Sequence, residues 1–352
     1  MVKDGMFYLL SVYIEMQDAP ASVFTKLPIP KFKMWKITKL DVPTILFADP
    51  VPNQPILVDR WTKLRKTIDN AKNKLNTLPQ ASYILYCLDY FADIRQELEG
   101  DAFNMTNATN ATIKMYELLY RMNLLRDATG TCLPHINVFC NAELPGGFII
   151  AINHFVKTHC AKSTFDWVGN SLWPQAGETQ LDDELDLYKK NPDHWVMGPT
   201  PLSNGDVTDP KNFPLMINKI LETFHNEATL LYTSDIGVAF PTAAEDKSLK
   251  NMEEEIEAIL NFGQIVAGLM TLSKGGNLVT KQFTFTTPFS RSLIGLVASL
   301  FETTYIAKPQ TSRVNNSEVY LVAKNYEGIA TDLQESLLKR LNYFHVKTPL
   351  LV

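Results

Sequence analysis

The chain has 352 residues, enough for one large domain or two ordinary ones with ample core. Its 45% hydrophobic and 20% charged content is that of a soluble globular protein. A net charge of −5 gives no global pull toward a polyanion.

In chain order, the first apolar run is Phe7-Tyr-Leu-Leu-Ser-Val-Tyr-Ile14, which follows Asp4 and precedes Glu15. It lacks the basic start and the length of a signal peptide or a membrane span, so a cytoplasmic location is expected. Residues 19–56 are rich in Pro, Lys and short apolar runs and read as extended, loop-rich structure. From Lys26 to Leu75 there are nine Lys and two Arg against four Asp and no Glu, a local +7. Such a run is either a solvated face or a phosphate-facing surface. Residues 58–99 and 111–127 have helical periodicity. Asn104, Asn107 and Asn110 each begin an Asn-x-Thr triplet, which without a secretion signal reads as a polar loop.

From residue 136 strands and helices alternate. Strands are expected at 136–140, 165–172, 229–233 and 277–285, and helices at 147–157, 213–225, 253–272 and 290–301. Strands 304–307 and 318–324 have no helix between them, and a helix over 332–344 ends the chain. Alternating βα units require a mostly parallel sheet covered on both faces. The closing pair predicts a hairpin that places an antiparallel strand in that sheet. The four cysteines form no CxxC pair and read as free thiols in a reducing compartment. His154, His159 and Cys160 lie close together, but no second cluster completes a metal site, so no metal is expected.

Ligands of open parallel sheets bind at the carboxyl ends of the strands. The turn Pro145-Gly146-Gly147 falls there, between the first of these strands and its helix. It is either a tight turn or a place where a ligand meets bare backbone beside unpaired helix N–H groups. Gly205-Asp206-Val207-Thr208 and Tyr232-Thr-Ser-Asp235 fall at the same edge. Asp206 could accept from an exocyclic amine or cap a turn. Lys281 lies inside an apolar strand, where an unpaired ammonium is costly unless it snorkels out at the strand's end. Lys308-Pro-Gln-Thr-Ser-Arg313-Val-Asn-Asn-Ser-Glu318 is a polar turn that leads straight into a strand.

The stretch SKGGNLVTKQFTFTTPFSRSLIGLVASLFETTYIAKPQTSRVNNSEVYLVAKN, residues 273–325, resembles the final third of FtsJ-type ribose 2′-O-methyltransferases. It is most similar to the messenger-RNA cap enzymes, with their GG-x3-CK-x-F, TPFS and KP-x-TSR-x-x-NSE-x-Y segments. CNAELPGGFIIAINHF (140–155), IKMYELL (113–119) and NGDVT (204–208) resemble the cap-methyltransferase homologues of large DNA viruses of the African swine fever virus type. The resemblance spans roughly residues 110–345. It implies an α/β, Rossmann-like methyltransferase fold over 106–352, preceded at 1–105 by an extension of loops then helices that could face RNA. It implies S-adenosylmethionine as methyl donor and no metal. Capped RNA would be the substrate, with other capping or transcription subunits as candidate partners. For a viral protein, the place of action would be the host cytoplasm, a virus factory or the virion.

By the same resemblance, a catalytic tetrad falls on Lys114, Asp235, Lys281 and Glu318. Glu143, Leu144, Pro145, Gly146, Gly147 and Phe148 would hold the methionine part of the donor. Ser171 and Leu172 would flank its ribose, and Asp206 and Val207 its adenine. Cys140 departs from the family, which usually has an acid at the end of this strand; Glu143 could substitute. The catalytic acid is followed by Ile-Gly where the cap enzymes often read Gly-Gly.

A ribose hydroxyl must lose its proton as it attacks, and lysine takes a proton only when neutral. At an ordinary pKa roughly one lysine in two thousand is neutral at pH 7, a penalty of about 4–5 kcal/mol. Burial and a second cation both ease that penalty, which gives Lys281 the role of base and Lys114 that of the neighbouring charge. Lys31, Lys33, Lys36 and Arg313 are candidates for RNA phosphate contact. Trp35, Trp61, Trp195 and Tyr188 are candidates for stacking on the cap base. Two other readings remain: the same chemistry on ribosomal or transfer RNA, and an RNA-binding subunit that keeps the fold without turnover.

Overall fold

The computed structural model describes residues 32–39, 59–76, 92–101, 103–105, 107–174, 181–200, 202–237, 253–312 and 317–347. In chain order the elements are β1 (Lys33–Ile37), α1 (Asp59–Asn76), α2 (Ala92–Glu99), α3 (Asn110–Met122), β2 (His135–Asn141), α4 (Gly147–His159), β3 (Thr164–Asn170) and α5 (Leu187–Lys190). There follow α6 (Phe213–Thr223), β4 (Leu231–Ser234), α7 (Glu253–Ile256), α8 (Ala258–Thr271), β5 (Asn277–Gln282), α9 (Pro288–Leu300), β6 (Phe301–Lys308), β7 (Val319–Tyr326) and α10 (Thr331–Lys347).

The described strands form one sheet in the order β1-β6-β7-β5-β4-β2-β3. β3, β2, β4 and β5 run parallel, and β7 enters antiparallel between β5 and β6. This is the mostly parallel α/β sheet with a closing hairpin that the alternation predicts. Two details differ. Strand β1 comes from the region read as extended and loop-rich, and it joins the sheet by pairing antiparallel with β6. The expected helix over 253–272 is divided at Glu257 into α7 and α8.

Alternate residues along each strand serve the two faces. Val138, Val279 and Val322 pack with α3 and α4 on one side. Phe139, Leu278 and Leu321 pack with α6, α8, α9 and α10 on the other. α3 begins at a reciprocal capping box between Thr109 and Thr112 and ends where Asn123 turns left-handed. Its buried face, including Ile113, Tyr116 and Leu118, settles it beside α4. α1 is tied to α7 by Arg65, which grips Glu255 with both terminal guanidinium nitrogens.

The cysteine expectation is corrected. Cys132 and Cys160 form a disulfide with a Cα–Cα distance of 5.6 Å. The loop after α3 and the last residue beyond α4 are brought side by side by helix packing, which residue spacing alone does not reveal. Cys140 is a buried free thiol, and Cys87 lies outside the described residues. With Cys160 in the disulfide, the His154/His159/Cys160 group is no ligand set.

Candidate active site

The carboxyl ends of β2, β3 and β4 are joined by a buried belt of side chains. Asn170 Nδ2 donates to Asn141 Oδ1 at 2.7 Å, and Asn141 Nδ2 donates to Ser234 Oγ at 2.9 Å. Asn170 Nδ2 also donates to the Gly205 carbonyl at 2.9 Å, which draws the 204–208 loop onto the same rim. Gly205 has φ +76°, and a Cβ there would lie 1.9 Å from the Ser171 carbonyl, so only glycine fits.

The two glycines of the Pro-Gly-Gly turn lie close against neighbouring side chains. A Cβ on Gly146 would meet Leu187 Cδ2 at 2.4 Å, and one on Gly147 would meet Ala111 Cβ at 2.9 Å. The first N–H groups of α4 are not all free for an anion. Glu143 Oε1 accepts from Phe148 N at 2.8 Å and Ile149 N at 2.9 Å, so its carboxylate caps the helix. Glu143 Oε2 is buried without a hydrogen-bond partner. Burial, then the charge of Asp235, pushes the Glu143 carboxyl up to about 8 against the pull of the two N–H groups. Ser171 Oγ accepts from the Glu143 and Leu144 N–H groups at 2.9 Å each, while Leu172 beside it is exposed. Asp206 does cap its turn: Oδ1 accepts from Thr208 N at 2.8 Å and Thr208 Oγ1 at 2.7 Å. Val207 and Phe148 are buried in the two cores.

A few residues further along the rim, Lys114, Asp235, Lys281 and Glu318 come together. Lys114 Nζ donates to Glu318 Oε1 at 2.9 Å and to Oε2 at 3.0 Å. Lys281 Nζ donates to the Asp235 carbonyl at 2.7 Å and lies 3.4 Å from Asp235 Oδ1. All four are reached from different elements: Lys114 from α3, Asp235 just past β4, Lys281 near the end of β5, and Glu318 just before β7. Burial disfavours the Glu318 carboxylate, but Lys114, together with Lys281 and Ser312, more than offsets it and holds the pKa below the usual range.

Four neighbours were given no role by the sequence reading. Tyr320 donates its hydroxyl to Asp235 Oδ1 at 3.1 Å, and Ser312 Oγ donates to Glu318 Oε1 at 2.9 Å. Lys308 Nζ donates to the Glu318 carbonyl at 2.7 Å, and Glu117, one helical turn from Lys114, accepts from the turn before Glu318. The available signal was spacing, since Tyr320 is two residues from Glu318 and so shares its side of β7. Burial brings Lys308 down to about 8; Glu318 opposes this, and Lys114 and Lys33 add to it.

Lys33 and Lys36 are exposed on β1, as is Trp35 at 52%. Lys31 and Arg313 lie outside the described residues. Trp195 is corrected as a stacking candidate. It is 5% exposed, its ring pressed on Gly169, where a Cβ would meet it at 2.7 Å. Trp61 lies under the Arg291 guanidinium at 4.3 Å, and Tyr188 is half-buried against Trp195.

The FtsJ-like methyltransferase family model matches residues 108–326, a span that holds all four rim residues. The chain belongs to the FtsJ-like methyltransferase family. Among its relatives, the probable methyltransferase EP424R of African swine fever virus (isolate Pig/Kenya/KEN-50/1950) is 38% identical over 314 residues, covering 84% of this chain and 69% of the relative. The same-named protein of the Warthog/Namibia/Wart80/1980 isolate is 41% identical over 278 residues, 76% of this chain and 60% of its own length. The cap-specific mRNA (nucleoside-2′-O-)-methyltransferase 2 of Danio rerio is 27% identical over 296 residues, 81% of this chain and 37% of that enzyme. This FtsJ-like chain therefore spans about two thirds of these two EP424R proteins and a little over a third of the fish enzyme. Among the described residues no helix is long and apolar enough to cross a membrane.

Proposed function

We propose that this methyltransferase moves a methyl group from S-adenosylmethionine to a ribose 2′-hydroxyl near the 5′ cap of mRNA, with Lys281 as general base. The observation that carries this reading is the meeting of two amines and two carboxylates, Lys114 with Glu318 and Lys281 with Asp235, beside the carboxyl ends of parallel strands. The relatives named as cap-specific enzymes favour capped RNA over ribosomal or transfer RNA.

The residues present fit a cationic donor. Glu143 Oε2 is a buried carboxyl oxygen with no partner, and the ammonium of a methionine group placed beside it would favour its ionised form. Glu143 to Phe148 would hold that part, with Ser171 and Leu172 at the ribose and Val207 at the adenine. Asp206 Oδ2, which lies 3.8 Å from His345 Nδ1, would accept from the adenine amine, with Oδ1 spent on Thr208. Bound there, the donor supplies an electrophilic methyl on a positively charged sulfur.

The chain's own residues would do the rest. Lys281 Nζ takes the hydroxyl proton, and its hydrogen bond to the Asp235 carbonyl fixes where that nitrogen stands. Asp235, itself held by Tyr320, places negative charge where the methyl passes. Lys114, anchored by Glu318, sets a second cation nearby. Holding hydroxyl and methyl in line supplies much of the acceleration. Lys33, Lys36 and Trp35 on β1, with Lys31 and Arg313, would form the RNA face. The reading places the protein in the cytoplasm, a virus factory or a virion, alongside other capping or transcription subunits.

The test is methyl transfer to a short capped RNA and to the same RNA without a cap, followed by mapping of the modified ribose. The expected result is 2′-O-methylation of the capped RNA alone, with Lys281→Ala slower by about 10²–10⁴-fold. Equal methylation of both RNAs would move the substrate to ribosomal or transfer RNA. Normal transfer by Lys281→Ala would remove lysine as base.

A further inference from the structure

Residues 309–312 form a turn after β6, closed by Ser312 N donating to the Pro309 carbonyl, and this turn and Glu318 are held together from two sides. From inside, Lys308 Nζ donates to the Glu318 carbonyl at 2.7 Å and to Ser312 Oγ at 3.1 Å, and Ser312 Oγ donates on to Glu318 Oε1 at 2.9 Å. From outside, Glu117 accepts from Gln310 N at 3.1 Å through Oε1. Its Oε2 accepts from Thr311 N at 3.1 Å and Thr311 Oγ1 at 2.9 Å. Glu117 is 1% exposed, and both of its carboxylate oxygens bond to this turn.

The helix connects the two grips. Lys114 and Glu117 are three residues apart on α3, so they project from one side of it. Lys114 holds Glu318, and Glu117 holds the turn at Gln310 and Thr311. A buried carboxylate loses much solvation, and burial does push the Glu117 pKa up against the Thr311 and Gln310 N–H groups. A turn needing only closure could use its own backbone bonds, without a buried charge on another helix. What Glu117 adds is a fixed height of Thr311 and Ser312 above α3, and hence of Ser312 Oγ on Glu318.

We infer that Glu117 and Lys308 are positioning residues: together they set where Glu318, and through it the Lys114 ammonium, stands at the rim. This rests on the function proposed above. Neither side chain is placed on donor or RNA.

The experiment compares Glu117→Gln, Lys308→Met and Lys308→Arg with the wild type in the capped-RNA assay, with donor affinity by calorimetry and melting temperature measured on each. Lys308→Met and Glu117→Gln should lose about 10–100-fold in kcat, because a misplacement of the order of 1 Å has that effect, with donor affinity and donor KM unchanged. Lys308→Arg, which keeps donors for the Glu318 carbonyl and Ser312 Oγ, should recover most of the loss. Amide exchange at Gln310 and Thr311 should be slow in the wild type and fast in Glu117→Gln, a reading independent of turnover. Wild-type kcat in Lys308→Met, no recovery in Lys308→Arg, a parallel fall of kcat, donor affinity and melting temperature, or fast exchange in the wild type would each overturn the inference. An inactive wild type would instead overturn the proposed function, and the positioning role with it; the exchange data would then report the turn alone.

Discussion

A side-chain carbon placed on Gly237 would stand 2.9 Å from Lys281 Nζ and 3.4 Å from its Cε. The obstructed atoms are the end of a flexible side chain, so the fold can yield by moving them. Gly237→Ala is therefore expected to change stability by only about 0.5 kcal/mol. The same yielding shifts the proposed base off its hydrogen bond to the Asp235 carbonyl, so kcat should fall by something of the order of a hundredfold. Calorimetric melting and single-turnover kinetics on one protein sample check both halves; an unchanged rate would show that Lys281 is not used where it stands.

Glu143 gives a prediction whose sign depends on pH. Its carboxyl is raised from 4.5 to about 8, so between those values the folded chain holds a proton that the unfolded chain has released. Its contribution is full below the unfolded value and drains away as pH rises through the folded one. Glu143→Gln keeps an oxygen for Phe148 N and Ile149 N but cannot ionise. Without donor, the variant's stability relative to wild type should rise from pH 5 to pH 8.5, by on the order of a few kcal/mol. Donor affinity should fall at the same time, and calorimetric titration measures it. A difference independent of pH would mean that Glu143 is already ionised.

The disulfide sits at the far end of α4 from Glu143, about 18 Å along a helix of this length. Its two cysteines are 28 residues apart, so a Cys132→Ser/Cys160→Ser variant should lose about 3.5 kcal/mol of stability. Its kcat at a temperature below melting should match the wild type. Alkylation before and after reduction, read by mass spectrometry, checks the bond itself: Cys132 and Cys160 should be protected until reduced.

For the RNA face, Lys33→Glu/Lys36→Glu should weaken RNA binding and flatten its dependence on salt, with the slope reduced by about one for each phosphate that is no longer neutralised. Both side chains are exposed, so melting temperature should stay put. Fluorescence anisotropy at several salt concentrations measures this, and an unaltered slope would take β1 out of the interface.

The sheet was legible because its strands are short apolar runs separated by amphipathic helices, a pattern that leaves little topological choice. Lys281 stands out as a charge inside an apolar strand, whereas its grouping with Lys114, Asp235 and Glu318 was implied by the family resemblance. What escaped depends on register or on distant pairing. The Asn141–Asn170–Ser234 belt needs three strands aligned, and β1 is only five residues long in a Pro- and Lys-rich stretch. Glu117 looks like any acid on an amphipathic helix until the turn it holds is in place. The Pro-Gly-Gly turn could be read as a tight turn or as backbone open to a ligand, and the packing of Leu187 and Ala111 against its glycines becomes visible only in the fold. Asp206 offered both an adenine contact and a turn cap, and the geometry shows that the cap is made.

Strand β1 has a practical consequence for anyone cutting the chain. A fragment starting at Ala108, where the family match begins, would retain every rim residue yet strip the cover from β6. The bared edge would offer a row of unpaired amides and carbonyls to another copy, an invitation to aggregate. A useful minimal protein should therefore start upstream of Phe32.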